Sequence, residues 1–446
     1  MNKVISRFAP SPTGYLHAGN YRTAVFAYLF AKHENGTFIV RVEDTDAARS
    51  KPEYETAIFA VLAWLGLQPD EKFRQSEHRP RHRELLEKLV ADGTAYVSKE
   101  TPINPGDREE VIRFKNPGGS VSFTDVIRGE ITTDVTDLGD FIIARSFDEP
   151  VFHFAVAVDD ADEGVSHVIR GADHISNTAR QMLIQRALGL PAPLYAHLPL
   201  IFDSTHKKLS KRTGAKSLAD YRDMGVLPEA LLNYLAFLGW NPGDDREYLS
   251  RDELVKAFDI SRVQKGSAIF DEVKLLSVNQ HWMRALSDPD FLAQLSNVQH
   301  SVSDTSIVRK VVPLLKERAR TFGEAREMLA GELSLFFTEP KLEQNRLLAK
   351  EPADRPGMTK TALEALSGAI KGLTEGVSAE AVKEALMPLA DAEEAKGKGG
   401  RGAMLWPLRY ALSGQDRSPD PFTIISIIGP KDAAARLHVA LAILKK

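Results

Sequence analysis

The pattern of apolar and polar positions divides the chain into an α/β first half and a helical second half. Residues 4–8 read as a short strand. It ends in Ala9-Pro10-Ser11-Pro12-Thr13-Gly14, where two prolines and a glycine force a defined turn. Tyr21, Ala24, Val25, Tyr28 and Leu29 then fall at i, i+3, i+4, i+7 and i+8, the apolar stripe of a helix. Residues 38–42 form a second strand leading into Glu43-Asp44-Thr45-Asp46. Strand, turn, helix, strand is the opening of a doubly wound parallel sheet. Helices follow over 53–65 and 80–91. Between 99 and 150 Pro, Gly and Thr rise, and strand-like runs at 110–115, 120–126, 130–133 and 140–145 predict an inserted β-rich subdomain.

The α/β pattern resumes at 152–158, a near-continuous apolar run that predicts a buried parallel strand ending in Asp159-Asp160. Segments 165–169 and 197–202 read as further strands, with a helix holding Met182 and Leu183 between them. Pro228 starts a helix carrying Leu231, Leu232, Leu235 and Leu238, closed by Gly239, and 252–274 reads as helical again, with Phe270-Asp271 in a break. From 308 onward the pattern is helical, over 308–319, 323–333, 360–373 and 379–389. The basic glycine stretch 396–402 places Gly397, Gly399 and Gly402 at dinucleotide-fingerprint spacing, but no strand leads into it, so we reject that match.

Composition narrows the class. The chain has 446 residues, 43% hydrophobic and 26% charged, as in an ordinary multidomain globular protein. A net charge of −4 excludes a wholesale basic nucleic-acid coat, so any nucleic-acid contact must use local patches. The absence of cysteine excludes disulfides and thiolate metal sites and fits a reducing compartment. No run approaches the roughly 18 apolar residues of a membrane span. The expectation is a cytoplasmic monomer with no membrane contact.

Two stretches carry candidate chemistry. Lys207-Lys208-Leu209-Ser210-Lys211-Arg212-Thr213-Gly214 follows a strand, and its ammonium groups suit a polyphosphate; a loop of solvated charge is the alternative, and the favoured one for this stretch taken alone. His17-Ala18-Gly19-Asn20 opens the first helix, whose unpaired N–H groups favour an anion; an ordinary capped helix is the alternative. Arg7 and Glu43 lie near the carboxyl ends of the first two strands, where they suit a zwitterion or pair with each other. Arg170 is a second candidate carboxylate receptor. His78 and His82 have a metal-compatible spacing but lack a third ligand, which predicts a solvated face.

Together, "FAPSPTGYLHAGN" and "KKLSKRTG" resemble the paired signatures of class I aminoacyl-tRNA synthetases. "RVEDTD", "VDD", "VIRGADHISNT" and "AHLPLI" resemble, more narrowly, the bacterial-type glutamyl-tRNA synthetases. The resemblance is collinear through about Leu238 and continues through "FDEVKL" and "PLRYALSG". It implies a Rossmann-like catalytic domain at 1–77 and 150–225, interrupted at 78–149 by an inserted α+β acceptor-end-binding subdomain. It also implies a stem-contact domain at 226–305 and an all-α anticodon-binding domain at 306–446.

The implied substrates are ATP with Mg²⁺, L-glutamate and a glutamate-accepting tRNA. Pro10, Gly14, His17, Gly19, Asn20, Leu209, Ser210 and Lys211 would bind ATP, with His17, Asn20, Lys208 and Lys211 catalytic. Arg7, Ser11, Glu43, Phe152 and Arg170 would surround glutamate. Phe152 stands where the family usually has tyrosine, and the zinc that some members hold through cysteines is not expected here. The alternatives are a glutaminyl-tRNA synthetase and a non-catalytic RNA-binding paralogue. The helical second half argues against the first, and retention of Lys211 and the His17 stretch argues against the second.

Overall fold

The computed structural model describes residues 3–101, 109–209, 216–296, 305–351, 353, 356–395 and 400–445. Two units divide the chain, Met1–Trp282 and Met283–Lys446. The first opens with β1 (Ile5–Phe8), α1 (Ala18–His33), β2 (Thr37–Val42), α2 (Pro52–Trp64), β3 (Glu71–Arg74) and α3 (Arg79–Ala91). It continues through β4 (Ala95–Lys99), β5 (Glu110–Phe114), β6 (Ser120–Asp125), β7 (Gly129–Asp134), β8 (Phe141–Ser146) and β9 (Glu149–Pro150). Then come α4 (Phe152–Asp162), β10 (His167–Gly171), α5 (Ile175–Leu188), β11 (Leu194–Leu198) and β12 (Ile201–Phe202). Next in the chain are α6 (Leu218–Asp223), α7 (Pro228–Ala236), α8 (Arg251–Ala257), β13 (Ala268–Ile269) and α9 (Glu272–Ala285).

A seven-stranded sheet in the order β3-β2-β1-β10-β11-β6-β7 organises this unit. Its strands run parallel except β7, which returns antiparallel to β6. The order reverses at β1, between β2 and β10, and ligands of open parallel sheets bind at such a switch point. Ile5 to Phe8 pair with Thr37 to Val40, while Ser6 pairs with His167. Helix α1 is buried on nearly every side, because α7 and α8 cover the face turned away from the sheet.

Three expectations are corrected. The 152–158 run is helix α4, not a strand. An apolar run fits a buried helix as well as a buried strand, and here α3 and α5 pack on it. The strand-like runs at 120–126 and 130–133 belong to the main sheet, where β6 lies beside β11. Only β4, β5, β8 and β9 form a separate antiparallel sheet. Segment 252–274 breaks before Phe270-Asp271 as well as at it: α8 stops at Ala257, β13 pairs with β12, and Asp271 caps α9 by accepting the Val273 and Lys274 N–H groups.

The second unit is helical throughout: α10 (Asp288–Ser296), α11 (Thr305–Arg318), α12 (Phe322–Ala330), α13 (Gln344–Leu347), α14 (Met358–Lys371), α15 (Ala379–Glu394), α16 (Gly402–Ser413), α17 (Pro421–Ile428) and α18 (Pro430–Ile443). Leu363, Leu366, Val382, Leu386, Leu408, Ile424 and Leu437 are fully buried in it. Proline lies inside α11, α15 and α16, which blurs the 3.6-residue pattern there.

Candidate active site

A cavity of about 370 Å³ opens at the carboxyl ends of β1, β2 and β10. Arg7, Pro10 and Ser11 line it from β1 and its turn, and His17, Gly19 and Asn20 line it from the start of α1. Glu43 enters from the end of β2, Phe152 from α4 and Arg170 from β10. Lys208 and Leu209 enter from the hairpin after β12. The structure thus brings together eleven of the residues singled out in the sequence. Gly14 is not among the lining residues. Ser210 and Lys211 lie outside the described residues.

The α1 terminus is held by a reciprocal cap. His17 Nδ1 accepts the Gly19 N–H at 3.1 Å, and Asn20 Oδ1 accepts the His17 N–H at 3.2 Å. With Nδ1 accepting, the neutral imidazole carries its proton on Nε2, a donor suited to phosphate. A Cβ on Gly19 would stand 2.9 Å from His17 Cε1. Glycine is therefore needed to seat the histidine ring, a reason the sequence alone did not supply.

Arg7 and Glu43 do not pair with each other. Arg7 Nε and Nη2 donate to Asp160 at 3.0 and 3.3 Å, leaving Nη1 for a ligand. Glu43 accepts from Arg41 Nη2 at 3.3 Å. Arg41, fully buried, also reaches Asp160 at 2.8 Å and Glu163 at 2.7 Å. Burial weakens its charged form, but Asp160, Glu163, Glu43 and Asp159 together outweigh that and raise its pKa. Burial pushes Glu43 up to about 7 against the pull of Arg41 and Arg7. A carboxylate held that high gains most from an incoming ammonium group.

Arg170 is only 6% exposed and makes no ion pair among the described residues. Its Nε donates to His197 Nε2 at 3.2 Å, its Nη2 donates to Thr178 Oγ1 at 2.7 Å, and its guanidinium lies over the Tyr195 ring at 5.2 Å. Burial draws its pKa down to about 10, so it stays charged at neutral pH. A buried guanidinium that faces a cavity with no carboxylate paired to it, though Asp160 and Glu43 act on its charge from nearby, is able to receive one. Lys208 Nζ rests on Asp173 at 2.9 Å and remains half-exposed, within the same cavity. The Phe152 ring stands 5.7 Å from that of His174.

His78 and His82 are not a solvated face. His82 is fully buried, with Nε2 2.6 Å from Asp159, and His78 Nδ1 lies 3.1 Å from the same oxygen. His82, Leu85, Leu86 and Leu89 share one helix face, a spacing that could have revealed this. Arg41 and Asp160 were also missed. The available signal was a lone arginine inside an otherwise apolar strand, which requires acidic partners from elsewhere. Among the described residues, no group of three His, Asp or Glu is placed to hold a metal, and no helix is long and apolar enough to cross a membrane.

Fold and cavity define a parallel α/β domain with a polar ligand site at its switch point, and comparison with known families gives the class. The description "tRNA synthetases class I (E and Q), catalytic domain" matches residues 3–104 and 104–277, and "Anticodon binding domain" matches 280–441. The chain belongs to the class I tRNA synthetases of the E and Q group. A relative from Aquifex aeolicus, named glutamate–tRNA ligase, is 42% identical over 76% of this chain and 79% of its own. One of the same name from Anaeromyxobacter sp. is 37% identical over the whole of both chains. The crystal structure of a glutamate tRNA ligase from Elizabethkingia meningosepticum, in complex with its amino acid, matches with a TM-score of 0.85 at 32% identity. It covers 99% of this chain and all of that one.

Proposed function

We propose that this chain is a glutamate–tRNA ligase that joins glutamate to ATP in the cavity described above and then transfers it to tRNA. Family membership and the glutamate–tRNA ligases named above support the reaction. One observation carries the residue roles: the acid Glu43 and the unpaired cation Arg170 line one cavity with the His17 helix start and Lys208.

In this reading Glu43 receives the α-amino group, Arg170 and the Nη1 of Arg7 receive carboxylates, and Ser11 and Phe152 bound the substrate. A glutamate carboxylate oxygen attacks the α-phosphorus of ATP. The phosphorus–oxygen bond to the β-phosphate breaks, leaving glutamyl-adenylate and pyrophosphate. The terminal 2′-hydroxyl of tRNA then attacks the adenylate carbonyl, and AMP departs. His17 Nε2–H, Asn20 and the backbone at Gly19 position the nucleotide with Pro10, Leu209 and Ser210. Lys208 and Lys211 stabilise the charge that develops on pyrophosphate. Mg²⁺ accompanying ATP would share the charge of its phosphates, beside Lys208 and Lys211. No side-chain nucleophile is required. The helical unit receives the anticodon region, and the enzyme works as a cytoplasmic monomer.

Arg170→Ala tests the assignment. Loss of a buried charge-assisted contact of about 3 kcal/mol raises the glutamate KM by about a hundredfold, with ATP KM little changed. An unchanged glutamate KM would remove Arg170 from the substrate site.

A further inference from the structure

Arg170 does not reach the cavity unaided. Behind it stand two buried groups that take no part in the chemistry outlined above. Asp125, at the end of β6, is 1% exposed, and His197, on β11, is wholly buried. Asp125 Oδ1 accepts the backbone N–H groups of Ile127 at 3.0 Å and Arg128 at 2.9 Å. Its Oδ2 accepts the His197 N–H at 3.1 Å and lies 2.6 Å from His197 Nδ1. The carboxylate is thus fixed by its own turn and by the pairing of Tyr195 with Asp125 that joins β6 to β11.

We infer that Asp125 and His197 are positioning residues that aim Arg170 at the substrate carboxylate. This rests on the reading of Arg170 as a carboxylate receptor and extends it to the groups that set its orientation. An ionised carboxylate only accepts, so His197 Nδ1 must carry the proton. The neutral ring then presents a lone pair at Nε2, which accepts the Arg170 Nε–H at 3.2 Å and also faces the Thr178 hydroxyl at 3.1 Å. Thr178 Oγ1, also fully buried, holds the Nη2 side of the fork at 2.7 Å. The Tyr195 ring fixes the guanidinium plane. One edge of the guanidinium is fully occupied, and Nη1 is left for a ligand. The opposite tautomer would set an imidazole N–H against a guanidinium N–H and turn Arg170 out of position. Burial favours the neutral ring, assisted by Arg170 and Arg128 and opposed by Asp125.

The role is one of orientation, so its signature is selective loss of glutamate affinity. Asp125→Asn keeps the shape but offers an NH₂ in place of one oxygen. If the amide oxygen stays on the turn N–H groups, the NH₂ faces His197 and forces its proton onto Nε2. His197→Phe removes the acceptor, whereas His197→Gln returns an oxygen near the Nε2 position. In tRNA charging kinetics, Asp125→Asn and His197→Phe are expected to raise the glutamate KM by about tenfold to a hundredfold. The ATP KM should stay within about threefold, a small change on the same free-energy scale. His197→Gln should recover most of that loss.

Circular dichroism and thermal melting establish that each variant is folded. If His197→Phe does not fold, Asp125→Asn decides the matter. A folded Asp125→Asn with wild-type glutamate KM, beside an impaired Arg170→Ala, overturns the relay and leaves the receptor reading intact. An Arg170→Ala with normal glutamate KM overturns both. Equal rises in the glutamate and ATP KM values, or no recovery in His197→Gln, would also overturn the relay and mark the pair as purely structural.

Discussion

Glu43→Gln probes the cluster beneath the substrate in two opposite ways at once. Burial raises the Glu43 pKa from its ordinary 4.5 to about 7, so the folded protein holds the ionised form at a disadvantage of about 3 kcal/mol. The sign follows from proton binding. Between pH 4.5 and 7 the folded state binds more proton at this site than the unfolded chain, so wild-type stability falls as pH rises. Glutamine removes the charge and the pH dependence together. Arg41 remains paired to Asp160 at 2.8 Å and Glu163 at 2.7 Å, so no buried cation is stranded.

Glu43→Gln should therefore melt with the wild type near pH 4.5 and above it at pH 8. A gain of 3 kcal/mol in a unit of this size is about 5 °C. In the proposed function the same change deprives the substrate ammonium of its partner, and the glutamate KM at pH 8 should rise about a hundredfold. Melting by fluorescence between pH 5 and 8, with charging kinetics at pH 8, reads both effects. A variant no more stable than wild type at pH 8, or one with normal glutamate KM, would refute the reasoning about Glu43.

Two further predictions concern the periphery of the site. Gly19→Ala should change stability by no more than about 1 kcal/mol, since loss of the His17 cap offsets the better helix former. It should nonetheless raise the ATP KM, because the new Cβ displaces the His17 ring; an unchanged ATP KM would detach His17 from the nucleotide. The hydrogen bond to Asp159 raises the His78 pKa above its ordinary 6.5, so this pair stabilises the fold below that pH and is lost as pH rises through the raised value. His78→Gln should flatten that part of the melting profile, and an unaltered profile would contradict the pairing.

The sequence placed most of the cavity because its residues sit where local pattern is informative. Arg7 and Glu43 stand at strand ends, His17, Gly19 and Asn20 at a helix start, and Lys208 just after a strand. The partners of those residues were not legible. Arg7 meets Asp160 across 153 positions, and His197 meets Asp125 across 72, separations that no local period encodes. Phe152 to Val158 misled because a near-continuous apolar run shows neither a clear helical nor a clear strand period. The error hid Asp159 and Asp160, whose placement on a helix lets them serve the His78–His82 pair and the Arg7–Arg41 pair. The β6–β7 hairpin misled for another reason: its alternating pattern fits either sheet, and only the pairing of Asp125 with Tyr195 assigns it.

In the proposed function an acid and an unpaired guanidinium in this cavity select glutamate for activation by ATP. Charging of purified glutamate tRNA with radiolabelled glutamate, run beside an identical reaction with glutamine, tests it most directly. A neutral amide cannot satisfy a buried guanidinium, so glutamate should be preferred by about a hundredfold or more in kcat/KM. Equal use of the two amino acids, or charging with glutamine alone, would contradict the account.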